Sequence, residues 1–187
     1  WGEDLPPVRS FSATDRFTLK QQLTSGVNCP KTTSMGRLFD SVSALVGVRQ
    51  MVTYEGQAAI ELENLCDPDE TGVYEIPVQN DVMDIFALYP QLLQDMHDQI
   101  PVARISARFH NAVADVCLRV CQLIKERTGT RVVALSGGVW QNITLLQKTR
   151  SLLLNAGFST LTHQRIPAND GGISAGQILV AYSYTDL

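Results

Sequence analysis

Three short segments of this chain carry residues whose types and spacing suit ligand chemistry. Ser136-Gly137-Gly138-Val139-Trp140-Gln141-Asn142 lies where a β-branched run hands over to an amphipathic stretch. Gly137 and Gly138 let the backbone approach a ligand closely, and the N–H groups of a following helix favour an anion. Asn142, expected in the first helical turn, offers a donor and an acceptor toward a base, a ribose or a phosphate. The plain alternative is a strand-to-helix turn that needs glycine for steric reasons alone. Ala168-Asn169-Asp170-Gly171-Gly172 stands before the last helical pattern, where Asp170 either ligates a metal or caps the helix. Both segments follow predicted strands, and in an open α/β sheet ligands collect at the carboxyl ends of strands. In the third segment, Thr32 to Asp40, Gly36 and Arg37 open a predicted helix. They face a phosphate or adenine, or they belong to an ordinary N-capped amphipathic helix.

The histidines and cysteines suggest no catalytic or metal cluster. Cys117 lies seven residues beyond His110, about 10.5 Å along a helix axis. A zinc ion bound at about 2.0 to 2.3 Å cannot hold both. His97 and His163 have no ligand-like spacing and are expected on the surface or in loops. Cys29, Cys66, Cys117 and Cys121 are too few and too scattered for a disulfide framework, which fits a reduced, cytoplasmic setting.

The elements that must position these segments follow from periodicity. Residues 1–13 read as an irregular lead-in, and Thr14-Asp15 opens a short helix that Ser25-Gly26 ends. Met35, Leu38, Phe39, Val42, Leu45 and Val46 recur at helical intervals, with Gly47 near the stop. Gln57 to Leu65 is another helix, with Ile60 and Leu62 or Leu65 inward. An acidic loop, Asp67 to Gly72, precedes an alternating strand at Val73 to Val78. Met83 to Phe86 is expected as a short strand and a helix starts from Pro90. The longest helix opens at Pro101 and runs to Arg127, with Ile105, Phe109, Val113, Val116, Val120 and Ile124 as its core stripe. Arg131 to Leu135 is predicted as a buried strand, Val139 to Asn155 as a helix, Phe158 to Leu161 as a second strand and Ile173 to Tyr182 as the closing helix. Strand, glycine turn, helix, strand, loop and helix make an α/β pattern with a parallel pair.

Composition sets the outer limits. The chain has 187 residues, of which 44% are hydrophobic and 18% charged, as in a packed globular protein. The formal charge of −4 argues against a general nucleic-acid binder, whose affinity rests on clustered Lys and Arg. No apolar run reaches the roughly 18 residues that a membrane helix needs. The opening Trp1-Gly2-Glu3-Asp4 carries no initiator Met and no leader pattern, so a piece of a longer protein is expected. One domain fragment over 1–187 is predicted, with a lead-in and first helix over 1–30, a helical part with small strands over 31–127, and a β-α-β-α part over 128–187.

Five motifs together resemble the hydrogenase-maturation carbamoyltransferase family (HypF-type). They are Thr33-Ser34-Met35-Gly36-Arg37-Leu38-Phe39-Asp40, Tyr54-Glu55-Gly56-Gln57-Ala58-Ala59, Arg108-Phe109-His110-Asn111-Ala112, Leu135-Ser136-Gly137-Gly138-Val139-Trp140-Gln141-Asn142 and Asn169-Asp170-Gly171-Gly172-Ile173-Ser174. They run in family order from about residue 30 to 180. The resemblance implies a helix-rich α/β fold, the incomplete second lobe of an actin/Hsp70/sugar-kinase-like (ASKHA) domain. It implies a parent enzyme that makes carbamoyl-adenylate from carbamoyl phosphate and ATP. That enzyme passes the carbamoyl group to the C-terminal cysteine of a partner protein, for the cyanide ligands of [NiFe]-hydrogenase. By motif match, Gly137, Gly138 and Asn142 would contact the nucleotide, Gly36 and Gly47 would border it, and Asp170 would ligate iron or zinc. The family's metal-binding histidine pair is absent, as are its acylphosphatase, zinc-finger and adenylate-forming parts. This fragment alone is therefore expected to lack transferase activity. The alternatives are an O-carbamoyltransferase of small-molecule biosynthesis and a non-catalytic nucleotide-sensing or partner-docking module.

Overall fold

The computed structural model describes residues 4–185. Its elements group into two compact units that part between Leu65 and Cys66, inside the stretch 31–127 expected as one helical part.

The first unit is helical: α1 (Pro6–Ser10), α2 (Ala13–Ser25), α3 (Met35–Leu45) and α4 (Gln57–Asn64). The lead-in expected to be irregular contains α1, because a proline in the first turn presets φ for a helix. α2 starts before Thr14 because Ser12 and Asp15 form a capping box, each side chain accepting the other's backbone N–H. Ser34 caps α3 by accepting the Arg37 N–H, and Leu38, Phe39, Val42 and Leu45 form its buried face. α4 buries Ala58 and Leu62, four residues apart. Of the expected inward set, Leu62 rather than Leu65 is inside, and Ile60 is 44% exposed, since an eight-residue helix offers only one inward stripe. Arg49 grips Glu61 through two hydrogen bonds of 2.7 and 2.6 Å.

The second unit holds β1 (Val78–Gln79), β2 (Val82–Met83), α5 (Leu88–His97), α6 (Val102–Thr128), β3 (Val132–Leu135), α7 (Ile143–Asn155), β4 (Ser159–Thr162) and α8 (Ile173–Thr185). The alternation predicted over 73–78 exists, with Tyr74 and Ile76 buried and Val73 exposed. Only its last residue joins a ladder, the short antiparallel pair β1–β2. Side chains take the place of strand partners. Gln91 accepts the Glu75 N–H at 2.9 Å and donates to its carbonyl at 2.9 Å. From α6, Asn111 donates to the Glu70 and Gly72 carbonyls at 3.1 and 2.8 Å, and Arg119 to that of Ile76 at 2.7 Å. Extended backbone is thus satisfied without a sheet. The strand expected at Met83 to Phe86 is β2 followed by a 3-10 turn, Ile85–Ala87.

Charge locks the same segment to α6. Glu70 is buried against Arg104 and Arg108, and Arg108 also binds Asp95 at 2.7 Å. The Gly72 N–H, then Arg104 and Arg108, hold the Glu70 carboxyl down to about 2 from an ordinary 4.5. A carboxylate with a depressed folded value stabilises above its unfolded value and loses that contribution as pH falls. The melting temperature should therefore drop between about pH 4.5 and 2. Glu70→Gln should flatten that part of the profile and lower the melting temperature at pH 7. An identical acid limb in the variant would remove Glu70 from this role.

α6 buries Ile105, Phe109, Val113 and Val116 as expected. Farther along, Ile124 is 48% exposed, while Leu118 and Cys121 pack on the core behind β3. There Leu118 and Cys121 pack against the cluster of Leu135, Leu153 and Phe158, which sets the inward face of this part of α6. β3 and β4 pair in parallel from Val132↔Ser159 to Leu135↔Thr162, with α7 as the crossover. β3 is less buried than its composition suggests, since Leu135 is inside but Val132 is 54% exposed. β-branched residues favour a pleated backbone and do not by themselves dictate burial. In α8 the apolar Ile178, Leu179 and Val180 are all exposed.

Candidate functional site

The site grows from the carboxyl ends of β3 and β4. After Leu135 the chain turns through Gly137, at φ +104 and ψ 161, a conformation essentially reserved for glycine. A 3-10 turn over Gly138–Gln141 follows, and α7 starts at Ile143 rather than at Val139. The Gly137 N–H donates to the Ala168 carbonyl at 2.9 Å, and Ser136 Oγ lies 2.8 Å from His163 Nε2. These bonds stitch the glycine turn to the loop that carries Asp170, so two predicted segments converge. His163 is exposed, as expected.

The two glycines of the turn differ. Backbone conformation requires glycine at 137. At Gly138 a Cβ would meet only Asn169 Cβ, at an ordinary 4.0 Å. Backbone conformation therefore explains Gly137, whereas neither conformation nor local crowding explains Gly138. Gly36, in the first turn of α3, is similar: a Cβ there would meet only Ser34 Oγ at 3.6 Å. Gly47 follows α3 at φ +84. Gly36 and Gly47 both belong to the first unit, and the other site residues to the second. Arg37 pairs with Asp40 at 2.9 Å on the surface of α3.

Asn142 is not inside a helical turn but is the N-cap of α7, and it is nearly fully buried. Its Oδ1 accepts the Leu145 N–H at 2.7 Å, and its Nδ2 lies 2.9 Å from His110 Nε2. The donor and acceptor expected to face a ligand are thus both engaged within the protein. His110 itself is fully buried on α6. Its Nδ1 lies 2.8 Å from the Ser106 carbonyl oxygen and 3.7 Å from Cys66 Sγ. Sequence spacing tested His110 against Cys117, its near neighbour in the chain. It could not find Cys66 and Asn142, which lie 44 and 32 residues away.

Asp170 opens a 3-10 turn, Asp170–Gly172, and is exposed. The cap of that turn is Asn169, whose Oδ1 accepts the Gly171 N–H at 3.1 Å. The local capping task weighed for Asp170 is therefore taken by its neighbour. Among the described residues no group of three His, Cys, Asp or Glu side chains gathers around a common point. A metal at Asp170 would draw its other ligands from beyond the described residues. Cys117 and Cys121 are partly buried free thiols, and burial pushes Cys117 up to about 12, so it stays protonated.

Beside the stitched loops lies a cleft of about 290 Å³, lined by Trp140, His163, Arg165, Pro167 and Leu146 among others. It offers an aromatic plane and a cation next to the glycine turn. That Trp140 and Arg165 line one cleft was not legible in the sequence, because they come from opposite ends of the β-α-β unit.

Residues 3–177 match the family described as carbamoyltransferase, Kae1-like domain, second subdomain. The carbamoyltransferase HypF of Synechocystis is 36% identical over 162 residues, covering 85% of this chain and 21% of that protein. That of Rhodobacter capsulatus is 36% identical over 174 residues, covering 92% and 23%. A full-length HypF crystal structure in its phosphate- and nucleotide-bound form superposes with a TM-score of 0.90 at 36% identity, covering 95% of this chain and 24% of that one. T. kodakarensis HypF shares the fold, with a TM-score of 0.83 at 24% identity over 97% of this chain and 24% of that one. The chain thus spans about a fifth to a quarter of the length of these relatives. The helix-rich α/β architecture is that of an ASKHA-type lobe, as the motifs implied. On the match over residues 3–177 and these identities, the chain belongs to the HypF carbamoyltransferase family, within the second subdomain of the Kae1-like domain.

Proposed function

We propose that this chain supplies one wall of the nucleotide site of a carbamoyltransferase. The whole protein would use carbamoyl phosphate and ATP, through carbamoyl-adenylate. It would carbamoylate the C-terminal cysteine of a hydrogenase-maturation partner protein. The observation that carries the reading is Gly138. It sits in the turn between the stitched loops, yet none of the described residues requires a glycine there. A glycine unexplained from within leaves room for something approaching from without, and a bare backbone next to a nucleotide is the use such turns have. By the motif match Gly36 and Gly47 would border a nucleotide, and Gly137 would set the turn's conformation. Asn142 would act by holding that turn, since its amide is engaged at the head of α7. Four cysteines, too few and too scattered for a disulfide framework, fit a reducing compartment, the cytoplasm.

Asp170 would donate one carboxylate to an iron or zinc ion completed from elsewhere in the whole protein. Such an ion, when bound, supplies positive charge to polarise a carbamoyl or phosphoryl oxygen. Asp170→Asn in the full-length protein tests this. Asn169 keeps the turn, and Asn conserves shape, so the melting temperature should not change. An amide is a poor ligand for a divalent transition metal. Metal content and carbamoyl transfer should each fall by at least about 10- to 100-fold, a cost already typical of residues that merely support a ligand. Retained metal and retained transfer would remove Asp170 from the centre.

A further inference from the structure

We propose that His110 is a positioning residue for the glycine turn. In its neutral Nδ1–H form it acts through Asn142 on nucleotide affinity. The hydrogen bonds around Asn142 leave one consistent arrangement. The Leu145 N–H can only donate, so the amide end 2.7 Å from it is Oδ1. The other end is therefore the NH2 group, and it faces His110 Nε2 at 2.9 Å. Nε2 must accept, which leaves the ring proton on Nδ1. The Ser106 carbonyl, an acceptor only, lies 2.8 Å from Nδ1 and receives that proton. Ser106 Oγ and Cys66 Sγ are also near Nδ1, at 3.4 and 3.7 Å, and Cys66 is the titratable group among these neighbours.

The chain of donors runs one way: Asn142 to His110 to the α6 backbone, with Asn142 free to accept from the head of α7. Asn142 also ends the 3-10 turn, its own N–H donating to the Val139 carbonyl at 3.1 Å. The residue that His110 holds is thus the joint between Gly138–Gln141 and α7. A second proton on His110 would set Nε2–H against the Asn142 NH2 group, and the amide would have to flip away from Leu145. His110 and Asn142 are both buried, so water does not substitute for a lost partner. α6 is rigid and long, which makes it a fixed post for a turn that must be preorganised to bind.

This inference rests on the nucleotide reading of the turn, and the experiment separates the two. ATP affinity and transfer kinetics are measured in the full-length protein. The variants are His110→Gln, His110→Asn, Asn142→Ala, the His110→Asn/Asn142→Ala pair and Gly137→Ala. Gln carries a carbonyl oxygen near the position of Nε2, whereas Asn reaches only as far as Nδ1. His110→Gln should stay within about twofold of wild type. His110→Asn should weaken ATP by about tenfold, the effect of one lost buried hydrogen bond, with kcat nearly unchanged. Adding Asn142→Ala to His110→Asn should cost little more, because the two act as one unit. Wild-type affinity in His110→Asn, equal loss in both His110 variants, or additive losses in the pair would each overturn the role. If Gly137→Ala leaves ATP affinity intact, the nucleotide reading falls and this inference with it. If Gly137→Ala weakens ATP and His110→Asn does not, only this inference falls. Should His110→Asn fail to fold, imidazole nitrogen spectra of the wild type decide the matter. A neutral Nδ1–H ring is expected at neutral pH, and an Nε2–H or doubly protonated ring would overturn the assignment.

Discussion

Gly172→Ala is expected to open the loop that carries Asp170 and to disable the site in the whole protein. A Cβ at position 172 would fall 2.6 Å from the Pro167 carbonyl oxygen and 3.0 Å from Ile166 Cγ2. The first contact is with backbone, and Pro167 has a fixed φ, so the neighbour cannot yield cheaply. The 3-10 turn Asp170–Gly172 must move instead, and with it the Gly172 N–H that donates to the Asn169 carbonyl at 2.9 Å. Overpacking of this kind costs typically about 1–3 kcal/mol. In a chain of this size that is a fall of a few degrees in melting temperature, about 2–4 °C per kcal/mol. The functional loss should be much larger than the thermal one. Displacing a positioned group by about 1 Å can cost on the order of 100-fold in rate. Thermal melts of this chain and transfer assays on the full-length variant check the two numbers. Full transfer activity in Gly172→Ala would mean that the loop tolerates the shift.

The largest loss of stability is expected from Leu153→Ala. Leu153 is fully buried with Leu135 and Phe158, in a small core that Leu118, Cys121, Val133, Trp140 and Leu146 complete. This core joins β3, α6 and α7 behind the glycine turn. Removing three carbons from such a position leaves a cavity that its neighbours cannot fill, at about 2–5 kcal/mol. Lys125 over the Phe158 ring, 5.1 Å from its centroid, cannot compensate, because its amine belongs in water. The neighbouring Leu154 is 49% exposed, so Leu154→Ala makes an internal control of the same chemistry. It should cost about 0.5 kcal/mol or less. Chemical denaturation of both variants gives the comparison, and equal losses would show that the core is not centred on Leu153.

How much of this could be read beforehand depends on the range of the interaction. Every principal helix was legible because its signals are local. Ser34 before Met35, the Leu38-Phe39-Val42-Leu45 spacing and the Ile105 to Val116 stripe all lie within a few turns. The same holds for the parallel pair, since a β-branched run, a glycine turn, a helix and a second short run leave few topologies open. The convergence of the Ser136–Asn142 and Ala168–Gly172 segments follows from that topology, and the ordered motifs carried the family.

Tertiary structure decided the rest. Residues 72–77 run without a ladder, and Gln91, Asn111 and Arg119, from 16 to 43 residues away, bond the backbone of Glu75, Gly72 and Ile76 in its place. Asp170 was expected either to cap or to ligate a metal, and only the loop's actual path gave the cap of the 3-10 turn to Asn169. Asn142 looked like a ligand-facing amide because its residue type permits it; its burial between α6 and α7 turned both ends inward. His110 gained its partners in the same way. Periodicity reports which face of a helix is apolar, whereas a hydrogen bond between helices depends on their separation and rotation. Those are set only when the whole second unit packs.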